Sequence, residues 1–239
     1  MQTENKSSAT AVRVELKKLA DPKQAKLLNG YFKTGPGEYG EGDIFLGIKV
    51  PLLRKVASRH LAMPLTEIRE LISSEIHEER FLALTLLVGK YDSGVSAERK
   101  SIYDFYMANL SHINNWDLVD TSAPYIVGRH LEDKSRATLN RLARSKDMWE
   151  RRISIIATFH FIRQADFADA ITIAGILVND REDLIHKAVG WMLREIGKRD
   201  IETLKLFLEK HLNMPRTMLR YAIERFPEKE RLRYLKYRG

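Results

Sequence analysis

The stretch NNWDLVDTSAPYIV, residues 114–127, sets Trp116 four residues before Asp120 in otherwise apolar surroundings. A spacing of four puts both side chains on one face of a helix. An indole beside an isolated carboxylate suits a reaction centre on which positive charge develops: the carboxylate meets the charge, and the ring covers it and keeps water away. A purely local reading competes with this one. Pro124 lacks the amide that would bond the carbonyl of residue 120, so a kink or a helix start must fall there, and Asp120 before TSAP has the position of a cap for the helix that follows.

A second constellation lies in HKAVGWMLREIG, residues 186–197, where Lys187, Trp191 and Arg194 follow one another at intervals of four and three and share a face. Arg152 belongs to a similar segment, RRISIIATFHFI, residues 151–162. Aromatic and cationic groups lining a groove are what contact with phosphates, sugars and bases requires. The plainer alternatives are a core position for each indole and a solvated face for each cation. Trp149, near a helix start, is expected to do no more than pack.

Composition removes most other chemistry. With no cysteine, disulfides, thiol nucleophiles and thiolate metal sites are excluded, and the seven histidines (60, 77, 112, 130, 160, 186 and 211) show neither HxxxH nor HExxH spacing, so no metal and no cofactor are expected. No catalytic triad, carboxylate pair or phosphate-cradling loop can be argued, which leaves any reaction to a single carboxylate. No lysine stands out as a Schiff-base nucleophile, so no lyase step is expected. The formal charge of +8, from 40 Lys and Arg against 32 Asp and Glu spread along the chain, favours a polyanionic partner. There is no long uncharged apolar run and no apolar segment behind a basic start, so the expectation is a cytoplasmic protein without a membrane span.

The elements that must position these residues are helices. Apolar residues recur at intervals of three and four in RFLALTLLVGKY (80–91) and in the two segments above, and no stretch alternates like a strand. Pro51, Pro64, Gly94, Asp133, Asp147, Asp180, Pro215 and Pro227 punctuate the chain, and Asp147 with Glu150 has capping-box spacing. TGPGEYGEGD (34–43) contains a formal GxGxxG but follows a helix-like stretch, so it reads as a loop. The segments RFLAL, RISII, KAVGW and RYAIE look like one helix written repeatedly; their cations Arg80, Arg152, Lys187 and Arg220 are spaced by 72, 35 and 33 residues, and halving the first interval lands on Trp116.

A repeat of this length predicts an all-α chain, an α-solenoid of HEAT-like two-helix repeats with equivalent positions projecting into one concave face; a non-repetitive helical bundle is the alternative. On this phase Arg80, Trp116, Arg152, Lys187 and Arg220 form one row, and Leu84, Asp120, Ile156, Trp191 and Glu224 form the row four residues later. Buried indoles at this phase would require the equivalent cations to be buried too, which argues for an exposed row. Residues 1–10 are expected to be a disordered tail and 11–239 a single domain, acting as a monomer.

YFK (31–33), FLGIKVP (45–51), WDLVD (116–120), WERR (149–152) and HKAVGWMLREIGK (186–198) resemble, in order and spacing, the AlkD family of DNA alkylation-repair glycosylases over residues 13–226. The resemblance implies a HEAT-like solenoid that holds duplex DNA containing alkylated bases and excises N3- and N7-alkylated purines without classical base flipping. It implies that Asp120 is the catalytic carboxylate and that Trp116 and Trp191 embrace the lesion's deoxyribose. Arg152 is similar to an arginine close to the backbone at the lesion, Arg194 to a second DNA-contacting arginine, and Tyr31 to a DNA-contacting tyrosine, with Tyr39 the alternative across the glycine-rich loop. Lys187 joins the DNA-binding set through its place on the face of Trp191 and Arg194. A different class of function, a non-catalytic repeat scaffold for branched or damaged DNA or for a protein partner, draws on the same basic face.

Overall fold

Several helices begin at a capping aspartate, and Asp147, Pro51, Pro64, Pro215 and Gly94 of the sequence signals stand at helix ends. Asp21 accepts the amides of Lys23 and Gln24, Asp147 that of Trp149, and Asp200 those of Glu202 and Thr203. Each cap satisfies amides that lack a partner within their own helix. Pro51 occupies the first turn of a helix, where its missing amide costs nothing, and Gly94 closes the longest one. The computed structural model describes residues 7–236, all-α apart from turns; among the described residues the only β pairing is an isolated parallel bridge between Ile44 and Ile76. Of the expected tail, residues 1–6 lie outside the described residues. Ala9 and Thr10 already belong to the first helix, which Ser8 caps by accepting the amide of Ala11.

By its packing the chain divides into two compact units, Met1–Ser122 and Ala123–Gly239. The first contains α1 (Ala9–Leu19), α2 (Pro22–Tyr31), α3 (Val50–Arg59), α4 (Leu65–Ile72), α5 (His77–Ser93), α6 (Ser96–Ala108) and most of α7 (Trp116–Ala123). The second contains α8 (Ala137–Leu142), α9 (Met148–Ala157), α10 (Phe159–Ile162), α11 (Ala168–Leu177), α12 (Asp183–Gly197), α13 (Ile201–Lys210), α14 (Arg216–Ala222) and α15 (Glu228–Lys236). Helices pack on their sequence neighbours (α4 on α5, α5 on α6, α8 on α9, α12 on α13) and also on the helix two places along (α3 on α5, α9 on α11, α12 on α14). That double pattern is what helical repeats produce.

In the first unit α5 is the central element. Its first turn buries the charged and polar side chains His77, Glu78, Glu79 and Arg80, and its middle buries Phe81, Leu82, Ala83, Leu84, Leu86 and Leu87, as a helix enclosed by others does. Ahead of it, the chain at 46–48 is pinned from below: Glu78, buried on α5, accepts the amides of Leu46, Gly47 and Ile48 at 3.0, 2.8 and 3.2 Å. Gly47 has φ +84° and lies against the backbone of Asp21 and Ala25, where a Cβ would overlap main-chain atoms. In the second unit α12 is central, packed against α9, α11, α13 and α14.

The glycine of KAVGWM permits the close approach of α14 to α12. A Cβ on Gly190 would meet the Met218 carbonyl and the Tyr221 Cβ, each at 2.5 Å. Pro124 has the effect its chemistry demands: α7 passes into a π-helical turn, Pro124–Gly128, instead of continuing regularly. The segment 151–162 forms two helices rather than one, breaking at Thr158, whose hydroxyl donates to the Ile155 carbonyl at 2.6 Å. Residues 34–43 form turns, as the glycines there suggest. No helix among the described residues is long and apolar enough to cross a membrane.

Because the Met218 carbonyl is main chain and cannot swing aside, Gly190→Ala should overpack the α12–α14 contact and cost about 1–3 kcal/mol. The expected result is a lower midpoint in urea with an unchanged slope; an unaltered midpoint would show that α14 can retreat without penalty.

Candidate active site

Trp116 and Asp120 lie one turn apart on α7, both half-buried. Asp120 stands inside that helix and not at the start of the next, so the capping role considered for it does not apply. The α7 start is held by Asn115, fully buried, whose side-chain oxygen accepts the Trp116 amide at 2.8 Å while its amide nitrogen donates to Asp43 at 3.3 Å. Asp43, also buried, takes a second bond from Arg80 Nη2 at 2.6 Å and a third from His77 Nδ1 at 2.9 Å. His77 completes the circuit by bonding Asp117 of α7 through Nε2 at 2.8 Å. Thus the first turn of α7 is tied through two of its residues and its capping asparagine to a network rooted on α5.

Rings pack against the same network. His77 stacks on Phe45 with centroids 4.5 Å apart, Phe45 on Phe32 at 4.9 Å, and Phe32 on Trp116 at 5.3 Å with planes 13° apart. The indole is therefore fixed in orientation by a buried aromatic pile. Tyr31, 64% exposed, meets the edge of Trp116 at 6.0 Å, while the Tyr39 hydroxyl donates to the Tyr31 carbonyl at 3.4 Å. Of the two tyrosines considered, Tyr31 is the one beside Trp116, and Tyr39 braces its backbone. Behind Asp120, Tyr106 is wholly buried and bonded to Ser122 at 3.0 Å. Burial, and then the charge of Asp120, push the Tyr106 phenol above its ordinary range against the opposing Ser122 bond.

The remaining expected residues belong to the second unit. Lys187, Trp191 and Arg194 share a face of α12 and are half-buried, as their spacing requires. Lys187 pairs with Asp183 at 2.8 Å, and Arg194 pairs with Glu224. Trp191 lies against Phe159 at 5.9 Å. Arg152 is buried, 4% exposed, and donates from Nη1 to the Leu184 carbonyl of α12 at 2.6 Å.

The expectation that the row of cations would be exposed is corrected at two positions. Arg80 and Arg152 are both buried, Arg80 between Asp43 and the Ser74 carbonyl. A guanidinium tolerates such a site because its donors are satisfied by anionic and carbonyl oxygens. In the row four residues later, Leu84 and Ile156 are buried while Glu224 is exposed, so equivalent phase does not mean equal exposure. What sequence reasoning missed is the network itself: Asp43, His77 and Asn115 lie 34–72 residues apart, and no periodicity links them. Among the described residues no three His, Asp or Glu side chains are arranged to hold a metal ion.

Burial would push the His77 imidazole down, but its bonds to Asp117 and Asp43 and their charges overcome this and hold it up at about 9. Burial would likewise raise Asp43, yet His77 and Arg80 hold it below the usual carboxylate range. His77 is thus an imidazolium at neutral pH. A group whose folded pKa exceeds its unfolded value of 6.5 stabilises fully below that value and loses the contribution as pH rises through about 9. Urea unfolding should therefore show wild type losing on the order of 3 kcal/mol between pH 6 and pH 10 relative to His77→Gln. Parallel losses in the two proteins would place the titration elsewhere.

Comparison with known proteins adds three findings. A family model described as DNA alkylation repair enzyme matches residues 12–226. Among solved structures, the chain is similar to a predicted DNA alkylation repair enzyme from Enterococcus faecalis, with 16% identity, coverage of 87% of this chain and 97% of that one, and a TM-score of 0.69. It is also similar to AlkD2 from Streptococcus mutans, with 16% identity, coverage of 92% and 100%, and a TM-score of 0.53. At that identity the structural likenesses bear on fold alone. No curated protein matches by sequence.

Proposed function

The chain belongs to the DNA alkylation repair enzyme family, and we propose that it is a monofunctional DNA glycosylase that hydrolyses the N-glycosidic bond of cationic N3- or N7-alkylated purines in duplex DNA. The observation that carries this reading is the pair on α7: an indole fixed by a buried aromatic pile, and one turn away a carboxylate inside the same helix.

The chemistry matches a single carboxylate. An alkylated purine already carries a positive charge, so when the C1′–N bond breaks its electron pair neutralises the base, which leaves without a general acid. The sugar left behind has oxocarbenium character, a water oxygen closes on C1′, and one proton passes to solvent. A carboxylate about 4 Å from that cation, at an effective dielectric near 20, contributes roughly 4 kcal/mol, or about a thousandfold in rate. Asp120 is the residue we assign to this task, and it also orients the water. Trp116 presents its face to the sugar and excludes competing solvent. The family resemblance gives Trp191 the same task and gives Tyr31, Arg152, Arg194 and Lys187 contacts with the DNA. For Arg194 and Lys187 this means that phosphates compete with Glu224 and Asp183, their carboxylate partners in the protein alone. In this reading the protein acts as a cytoplasmic monomer, with no metal or cofactor.

Asp120→Asn keeps the size and removes the charge. Release of 7-methylguanine from methylated duplex should fall at least tenfold, about 1.4 kcal/mol or more of transition-state stabilisation, while DNA affinity stays within a few-fold. Unchanged release would reject the assignment. A wild-type protein that binds duplex in a salt-dependent manner yet releases no base would support the scaffold instead.

A further inference from the structure

The cations expected to meet DNA in the second unit are already engaged: Arg152 is buried on the Leu184 carbonyl, Lys187 is paired with Asp183, and Arg194 with Glu224. A different arginine has its donors unspent. Arg163, exposed at the end of α10, lies over two rings, that of Tyr125 at 5.8 Å and that of Phe159 at 5.6 Å. Among the described residues its guanidinium has no carboxylate or hydrogen-bond partner. Phe159 and Arg163 are one turn apart, and Phe159 in turn touches Trp191 at 5.9 Å. The four residues form a continuous strip: Tyr125 from the π-helical turn, Arg163 and Phe159 from α10, and Trp191 from α12.

Arg163 places one positive group at the exposed end of the strip. Burial lowers the pKa of His160, the neighbour of Phe159 in the chain; Glu132 opposes this, and the charges of Arg163 and Arg129 lower it further. Flanking rings also confine the long Arg163 side chain, which reduces the ordering cost of fixing it on a ligand.

Resting on the DNA-binding part of the reading above, we propose that Arg163, held between Tyr125 and Phe159, is a phosphodiester contact for the DNA strand that reaches Trp191. A guanidinium held by rings presents its N–H edge outward, and that edge fits two phosphate oxygens at once. The contact carries no base information and serves register: it fixes one phosphate of the backbone relative to the indole.

The test is binding of unmodified duplex as a function of salt, with Arg163→Ala, Arg163→Gln and Arg163→Lys. Losing one phosphate contact should make the slope of log affinity against log salt shallower by about 0.9 in the first two variants. Arg163→Lys, which keeps the charge, should retain the wild-type slope. Thermal unfolding should be unchanged, and the loss should be the same for alkylated and unmodified duplex. A wild-type slope in Arg163→Ala or Arg163→Gln overturns the proposal. So does weaker binding without a change of slope, which would mean that the strip stacks on bases. Because unmodified DNA loses no base, the result stands apart from the catalytic reading: absence of base release from alkylated duplex would end that reading and leave Arg163 unaffected, and an unchanged slope would do the reverse.

Discussion

Asp43 is a carboxylate taken out of water, and a buried charge persists only if its surroundings replace the solvent it lost. Here the replacement comes from three directions: the guanidinium of Arg80, the imidazolium of His77 and the side-chain amide of Asn115. Two of these donors belong to α5 and the third caps α7, so satisfying one carboxylate joins the loop before α3, the central helix of the first unit, and the helix that bears Trp116 and Asp120. Each partner is also tied to something else: Arg80 to the Ser74 carbonyl, His77 to Asp117, and Asn115 to the Trp116 amide. Removing any one leaves an unmatched charge or dipole inside the unit, and for that reason the geometry of the α7 start is over-determined.

The two units treat their cations in a common way. Guanidinium groups that a sequence reader would assign to a solvated face are committed to oxygens of the protein, Arg80 to Asp43, Arg152 to a helix carbonyl, and Arg151 to Asp180. The surplus of +8 is therefore a poor guide to which residues meet a partner, because much of the positive charge is structural. What marks a cation as available is the absence of an oxygen facing it, and that is a property of the fold.

How much could be read beforehand follows from the range of each interaction. The helical character of the chain, the Asp147 cap and the Pro124 irregularity depend on residues within four or five places of one another, and they appear as the sequence suggested. The relation between Trp116 and Asp120 is likewise local. Burial of Arg80 and Arg152 depends on oxygens 37 and 32 residues away, and nothing at phase zero distinguishes them from an exposed lysine. His77 was only one of seven scattered histidines until Asp43 and Asp117 were seen at its two nitrogens. That Tyr31 and not Tyr39 lies beside the indole likewise depends on the course of the glycine-rich loop.

Pro124 has one more implication, for when the reacting pair comes into being. Pro124 lacks the amide that would bond the Asp120 carbonyl, so regular α-helical bonding in α7 stops after eight residues and a π-helical turn follows. Two turns of helix are too short to persist in isolation. Trp116 and Asp120 therefore acquire a common orientation only once Asn115 and the buried charges beneath it have assembled. Nascent or partly unfolded chains hold both side chains but no fixed relation between them, which confines their joint chemistry to the finished protein.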